Sequence, residues 1–186
     1  MKKNFFALAG FCALFFCNAA EASDEPFSSW WDKWTTNVEK AWNSDKYQLI
    51  IPAHTYHSRI SYSRENIKKY NENPWGIGLE RYFEDEGNVR HSLFALTFQD
   101  SWNRPQPTAG YSWQKNWYAD YDNDLAVGLG YSLILTARKN HAYVPIPGIL
   151  PTLSLEYRRF IVQTAWVPYM GANNGNILFT MVKWKL

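Results

Sequence analysis

From Asp124 to Arg138 the chain alternates by size as well as by polarity. Leu125, Val127, Leu129, Tyr131, Leu133 and Leu135 occupy one phase of a two-residue period. Ala126, Gly128, Gly130, Ser132 and Thr136 occupy the other. Successive strand side chains point to opposite faces, so this segment is a strand with one bulky apolar face and one face of small residues. A helix would need its apolar residues at three- and four-residue spacing. A strand crossing a membrane in a closed barrel turns such an apolar face to lipid and keeps its other face for the interior.

Other segments carry the same period. The stretch Ile50–Ser63, IIPAHTYHSRISYS, places Ala53, Thr55, His57, Arg59, Ser61 and Ser63 in one phase and Pro52, His54, Tyr56, Ser58, Ile60 and Tyr62 in the other. The first phase is polar and the second holds most of the bulk, which predicts a strand over the whole stretch with His57 facing the interior. Further strands are predicted over Trp75–Phe83, Arg90–Phe98, Thr108–Trp117, Val144–Tyr157, Phe160–Val167 and Asn176–Leu186. With the segment Asp124–Arg138 these make eight antiparallel strands, the smallest usual transmembrane barrel.

The connections alternate in length. Arg64–Pro74, Gln99–Pro107 and Pro168–Gly175 are long, whereas Glu84–Asn88, Ala119–Asn123 and Arg158–Arg159 are short. Barrels of the outer membrane have short turns at the periplasmic rim and longer loops outside. Asp100 and Ser101 are then expected at the extracellular rim.

The N-terminus predicts the address. Lys2 and Lys3 precede an apolar run from Phe5 to Phe16, and Ala20-Glu21-Ala22 fits a signal-peptidase site. Residues 1–22 are expected to be removed as a secretory signal peptide, leaving a barrel domain over 23–186. Both cysteines, Cys12 and Cys17, lie in that segment, so the mature chain is expected to hold no disulfide and no thiol nucleophile. Without residues 1–22 the balance is 17 basic against 16 acidic residues. A net charge of +1 gives no electrostatic argument for a nucleic-acid partner, and none is expected. No later stretch is apolar enough to cross a membrane as a helix.

Aromatic residues are 18% of the chain, including ten tryptophans. Girdles of Trp and Tyr at two membrane interfaces account for this load, although a soluble sandwich with a carbohydrate-binding face could also carry it. Part of the load sits in Phe27–Trp42. There Phe27, Trp30, Trp31, Trp34, Val38, Ala41 and Trp42 recur at helical spacing, with Asp24 and Pro26 suited to a helix start. An amphipathic helix with a tryptophan face is expected to lie in a membrane interface.

Three features bear on chemistry. His57 is expected in a polar interior phase, opposite to His54, so the two cannot share a metal. Asp100-Ser101 falls where FQDSWNRPQP ends a strand, so both side chains can face one site. A carboxylate, a hydroxyl and an imidazole are the ingredients of acyl transfer. Pro52, Pro145, Pro147, Pro151 and Pro168 sit in or beside strands, where each removes a ladder hydrogen bond. Clustered in a closed barrel, they would leave lateral openings toward lipid; the alternative is plain strand termination. The small inward residues of Asp124–Arg138 leave room for a narrow slot, unless larger residues on facing strands fill it.

The runs IPAHTYHSR, YNENPWGIG, FQDSWN, AGYSW, GLGYSLILTAR, YVPIPGILP and NNGN together resemble the outer-membrane lipid A palmitoyltransferase family, PagP. The resemblance covers nearly all of the chain after residue 22. It implies an eight-stranded barrel with an N-terminal amphipathic helix. It also implies transfer of a palmitoyl chain from the sn-1 position of a phospholipid donor to lipid A as acceptor. The family's functional His, Asp and Ser fall on His57, Asp100 and Ser101. Its lateral-gate prolines fall on Pro52 and Pro74 for one opening and on Pro151 and Pro168 for the other. No metal and no organic cofactor is implied. A closed barrel has no strand edge to pair, so a monomer is expected. The family's glycine at the floor of the acyl pocket falls on Ser112, which predicts a preferred chain somewhat shorter than palmitate. The alternative is that the Ser112 hydroxyl tucks onto a neighbouring carbonyl and takes up no length.

Overall fold

The computed structural model describes residues 27–119, 124–168 and 175–186. The expected signal peptide, Asp24 and Pro26, most of the turn Ala119–Asn123 and most of the loop Pro168–Gly175 lie outside them. The elements are helix α1 (Phe27–Trp42), strand β1 (Tyr47–His57), a single helical turn α2 (Arg64–Ile67), and strands β2 (Gly76–Glu84), β3 (Val89–Gln99), β4 (Pro105–Tyr118), β5 (Leu125–Thr136), β6 (Ile146–Tyr157), β7 (Phe160–Val167) and β8 (Ile177–Lys185). The strands pair in sequence order, and β8 pairs with β1 to close the barrel. The chain divides into two compact units between Asn37 and Val38, so the N-terminal turns of α1 stand as a unit of their own. Within them Trp31 stacks obliquely on Trp34 at 5.1 Å.

The fifth strand behaves as its alternation requires. Leu125, Val127, Leu129, Tyr131 and Leu135 are exposed on the outside, and Ala126 and Ser132 are buried in the lumen. The room left by the small residues is filled in part by neighbours. A Cβ on Gly128 would lie 2.4 Å from Gln114 Nε2 and 2.5 Å from Ser154 Oγ.

The first strand departs from expectation in two ways. It begins at Tyr47 and ends at His57, six residues short of Ser63. Ser63 instead caps α2, its hydroxyl accepting the Asn66 N–H; a serine side chain that satisfies an early helical N–H favours a helix start over a strand. The phase also changes within β1. Gln48, Ile50 and Pro52 are buried, then Thr55 and His57. Across the ladder Pro52 faces Met181 and His54 faces the next residue, Thr180. Ala53 is therefore the extra residue of a β-bulge, which reverses the faces beyond it. Pro52, expected on the outer phase, faces inward because it stands before the bulge. β4 is also longer than predicted. Pro107 gives up no ladder carbonyl, since its C=O accepts the Ala137 N–H at 3.0 Å.

The lumen has two halves. Toward the short turns it is polar and charged. Arg90 binds Glu156 at 2.7 Å and Glu84 at 3.2 Å, Lys185 binds Glu156, and Lys183 binds Glu80. Gln163 Nε2 donates to Gln114 Oε1 at 3.1 Å. Buried charges persist only when paired in this way. Toward the long loops the lumen is apolar. Ile50, Ala165 and Met181 form a buried cluster with Phe94, Leu150 and Phe179 packed on it.

Candidate active site at the long-loop rim

His57 is the last residue of β1, and the bulge at Ala53 is what turns it inward. It is 1% exposed. The chain between β1 and β2 folds back over the rim and packs Tyr70 against the imidazole at 4.8 Å and Tyr62 edge-on at 5.2 Å. Two backbone bonds fix this segment: Thr55 N–H donates to Glu72 O, and Asn71 N–H donates to Ser101 O, both at 2.8 Å. The second ties it to the turn after β3.

That turn carries Ser101. Its Oγ lies 3.0 Å from His57 Nε2, a contact between positions 44 residues apart in sequence. Asp100 precedes it, 6% exposed. The Asp100 Oδ1 accepts the N–H groups of Trp102 and Arg104 at 2.8 and 2.9 Å. Such a bond from an Asp side chain to the backbone two residues on makes a tight turn, so Asp100 shapes the loop that presents Ser101.

The other imidazole nitrogen meets a residue to which the sequence analysis gave no role. Glu72 Oε1 lies 3.1 Å from His57 Nδ1 and accepts the His57 backbone N–H at 3.2 Å. Arg59 donates to both carboxylate oxygens, at 2.9 and 2.7 Å. This forked guanidinium, above all, holds the Glu72 carboxyl down at about 2, against the upward push of its partial burial. Glu72 is fully ionised at neutral pH. No periodicity marks it, because it lies in a loop. Its one signal in the sequence is that it stands inside the run YNENPWGIG, at the third position.

Ser112 is buried on β4 opposite Ser92 and Ser132. Its Oγ donates to Tyr131 O at 3.3 Å and accepts from Ser132 Oγ at 3.0 Å. It stands on the boundary between the halves of the lumen: Phe94 faces its neighbour Gly110 on one side, and Gln114 follows on the other.

The four prolines flank two breaks in the ladders. β1 and β2 pair from Tyr47–Arg81 to Ile50–Gly78 and no further, although both strands continue toward the rim. Pro52 and Pro74 are buried beside this break. β6 and β7 pair from Tyr157–Phe160 to Thr152–Ala165 and stop. Pro151 is the next residue of β6, and Pro168 follows the end of β7. Among the described residues no three His, Cys, Asp or Glu side chains gather to hold a metal ion.

At the mouth of this half-apolar eight-stranded barrel an imidazole stands between a carboxylate and a hydroxyl, the groups that acyl transfer uses. Residues 37–183 match the family described as antimicrobial peptide resistance and lipid A acylation protein PagP. Curated relatives, each named lipid A acyltransferase PagP, include that of Laribacter hongkongensis, 45% identical over 84% of this chain and 74% of its own. Those of Yersinia enterocolitica and Photorhabdus laumondii are 41% and 42% identical, over 83% and 85% of this chain and 76% of each relative. The chain belongs to the PagP family.

Proposed function

We propose that this protein is an outer-membrane acyltransferase that moves a palmitoyl or slightly shorter chain from the sn-1 position of a phospholipid to lipid A. The observation that carries the proposal is the 3.0 Å contact of Ser101 Oγ with His57 Nε2 at the mouth of an apolar half-lumen. The family membership and the names of the relatives supply the acceptor. Residues 1–22 direct the chain to the cell envelope and are removed. The mature protein works as a monomer and needs no cofactor.

The donor's acyl chain enters through the break between β6 and β7 or that between β1 and β2 and lies along Phe94, Leu150 and Phe179. Its methyl end rests near Ser112 and its ester near His57. The donor C–O bond breaks, an ester forms on a lipid A hydroxyl, and a lysophospholipid leaves. His57 Nε2 takes the proton of the attacking hydroxyl and returns it to the departing glycerol oxygen, so protons balance without a further reactant. Asp100 holds the turn that sets Ser101 in place.

The test is transfer of a labelled sn-1 chain from phosphatidylethanolamine to lipid A in detergent. His57→Ala and Ser101→Ala each abolish transfer while the heat-modifiable, folded band is retained on a gel. Wild-type activity in either variant removes that residue from the mechanism. Lipid A of unchanged mass in cells with and without the gene points instead to a barrel that binds lipid without reacting.

A further inference from the structure

We infer that Glu72 is a positioning residue of this site, holding the imidazole of His57 in the tautomer that leaves Nε2 free to accept a proton. The inference rests on the acyl-transfer proposal above and adds a residue and a role to it.

A neutral imidazole has one donor nitrogen and one acceptor. The Nδ1 of His57 faces Glu72 Oε1 at 3.1 Å. An ionised carboxylate only accepts, so the proton of the neutral ring belongs on Nδ1. Nε2 is then the acceptor, and it faces the Ser101 hydroxyl. The carboxylate has no freedom to turn away. Arg59 holds both of its oxygens in a fork, and the His57 backbone N–H binds the oxygen that faces the ring. Tyr62 and Tyr70 pack on the imidazole and limit its rotation. His54, the next titratable side chain along β1, is engaged with Asn73 Oδ1 at 3.2 Å. The arrangement is the hydroxyl–imidazole–carboxylate logic of acyl transfer, reached here by a loop carboxylate.

A bracing role for Glu72 in the loop is separable from this one. The loop is fastened by backbone bonds, Thr55 N–H to Glu72 O and Asn71 N–H to Ser101 O, which a change of side chain leaves in place. Glu72→Ala leaves no acceptor opposite Nδ1, so nothing holds the ring proton there and the Nε2–H tautomer becomes populated.

The experiment uses the full barrel refolded in detergent, phosphatidylethanolamine with a labelled sn-1 chain, and lipid A. Glu72→Ala lowers kcat by roughly 10²–10⁴-fold, the range for losing a correctly oriented general base, with KM for the donor within about threefold. The ¹⁵N resonances of the His57 ring report the proton moving from Nδ1 to Nε2. Glu72→Asp, which keeps the charge, recovers at least about tenfold of the loss, since a tenfold rate change is the scale of one good hydrogen bond. Unchanged ring resonances in Glu72→Ala, or a kcat within about threefold of wild type, overturn the inference. His57→Ala and Ser101→Ala are measured alongside. If both are fully active, the acyl-transfer proposal fails and takes this one with it. If both are dead and Glu72→Ala is not impaired, only the role of Glu72 fails.

Discussion

Pro52 and Thr55 face the same lumen although they stand three residues apart in one strand. Regular alternation forbids this, and the bulge at Ala53 permits it. The consequence falls two residues on, where His57 is turned into the barrel at the level of its mouth. Pro52, on the near side of the bulge, also has no N–H to offer a neighbour, and the β1–β2 ladder has ended two residues earlier, at Ile50–Gly78.

The two ladder breaks predict that closing the right one stops the reaction. Extending the β6–β7 register beyond Thr152–Ala165 pairs Leu150 with Val167, and extending β1–β2 beyond Ile50–Gly78 pairs Ile51 with Ile77. Cysteine pairs at these positions can be oxidised selectively, because the chain's own cysteines are confined to Cys12 and Cys17. At least one oxidised pair abolishes transfer and regains it on reduction. Full activity in both oxidised proteins, with the cross-links verified by mass, rules out lateral entry at these breaks.

Glu72 also predicts a pH response of the rim. Its carboxyl titrates at about 2 in the folded protein against an ordinary value of 4.5. A depressed carboxyl contributes stability that is complete above the ordinary value and fades as pH falls toward the folded one. Protection of the Thr55 and His57 amides from hydrogen exchange therefore declines between about pH 4.5 and pH 2 in the wild type. Glu72→Gln shows no such decline, and equal pH dependence in both proteins refutes the assignment.

The barrel was legible where its pattern was regular and local. β5 could be read because size and polarity alternate together, and β7 because Ile161, Gln163 and Ala165 keep one phase throughout. β1 departs from its pattern in its middle and at its end. A bulge inserts a residue without any marked composition, and Ser63 looks as suited to a strand's polar face as to a helix cap. Of the site, His57 could be picked out by its polar phase and Ser101 by its place at a strand end. Their contact joins β1 to the β3–β4 turn across the barrel mouth, and no spacing encodes that. Glu72 is not legible in the sequence for a related reason: a loop carboxylate acquires its meaning from what the fold sets beside it.

Ser112 predicts a chain-length preference. Its hydroxyl is turned onto Tyr131 O, yet its Cβ still stands in the lumen where a glycine would leave space. Ser112→Gly should shift the transferred chains toward greater length in a mixed phospholipid pool. Discrimination of one methylene amounts to roughly 10–200-fold in rate ratio. An unchanged product profile means the hydroxyl's turn toward the carbonyl has already cleared the floor.

Glu156 joins two cations in the lower lumen, Arg90 and Lys185. Glu156→Ala leaves both without this partner inside the barrel. Removing one member of a buried pair is worth about 3–5 kcal/mol of destabilisation, which equilibrium unfolding in urea with detergent will report. A loss below about 1 kcal/mol would place this network in the class of exposed pairs.

The same charged lower half decides what the barrel can let through. Arg90, Gln114, Asn116, Glu156, Gln163 and Lys183 are each 5% exposed or less, and they are tied into the bore by the contacts Arg90–Glu156, Lys183–Glu80, Gln163–Gln114 and Gln114–Asn116. Side chains interlocked in this way predict a barrel that conducts no ions, and single-channel recording in a planar bilayer would show open-channel steps if the expectation is wrong.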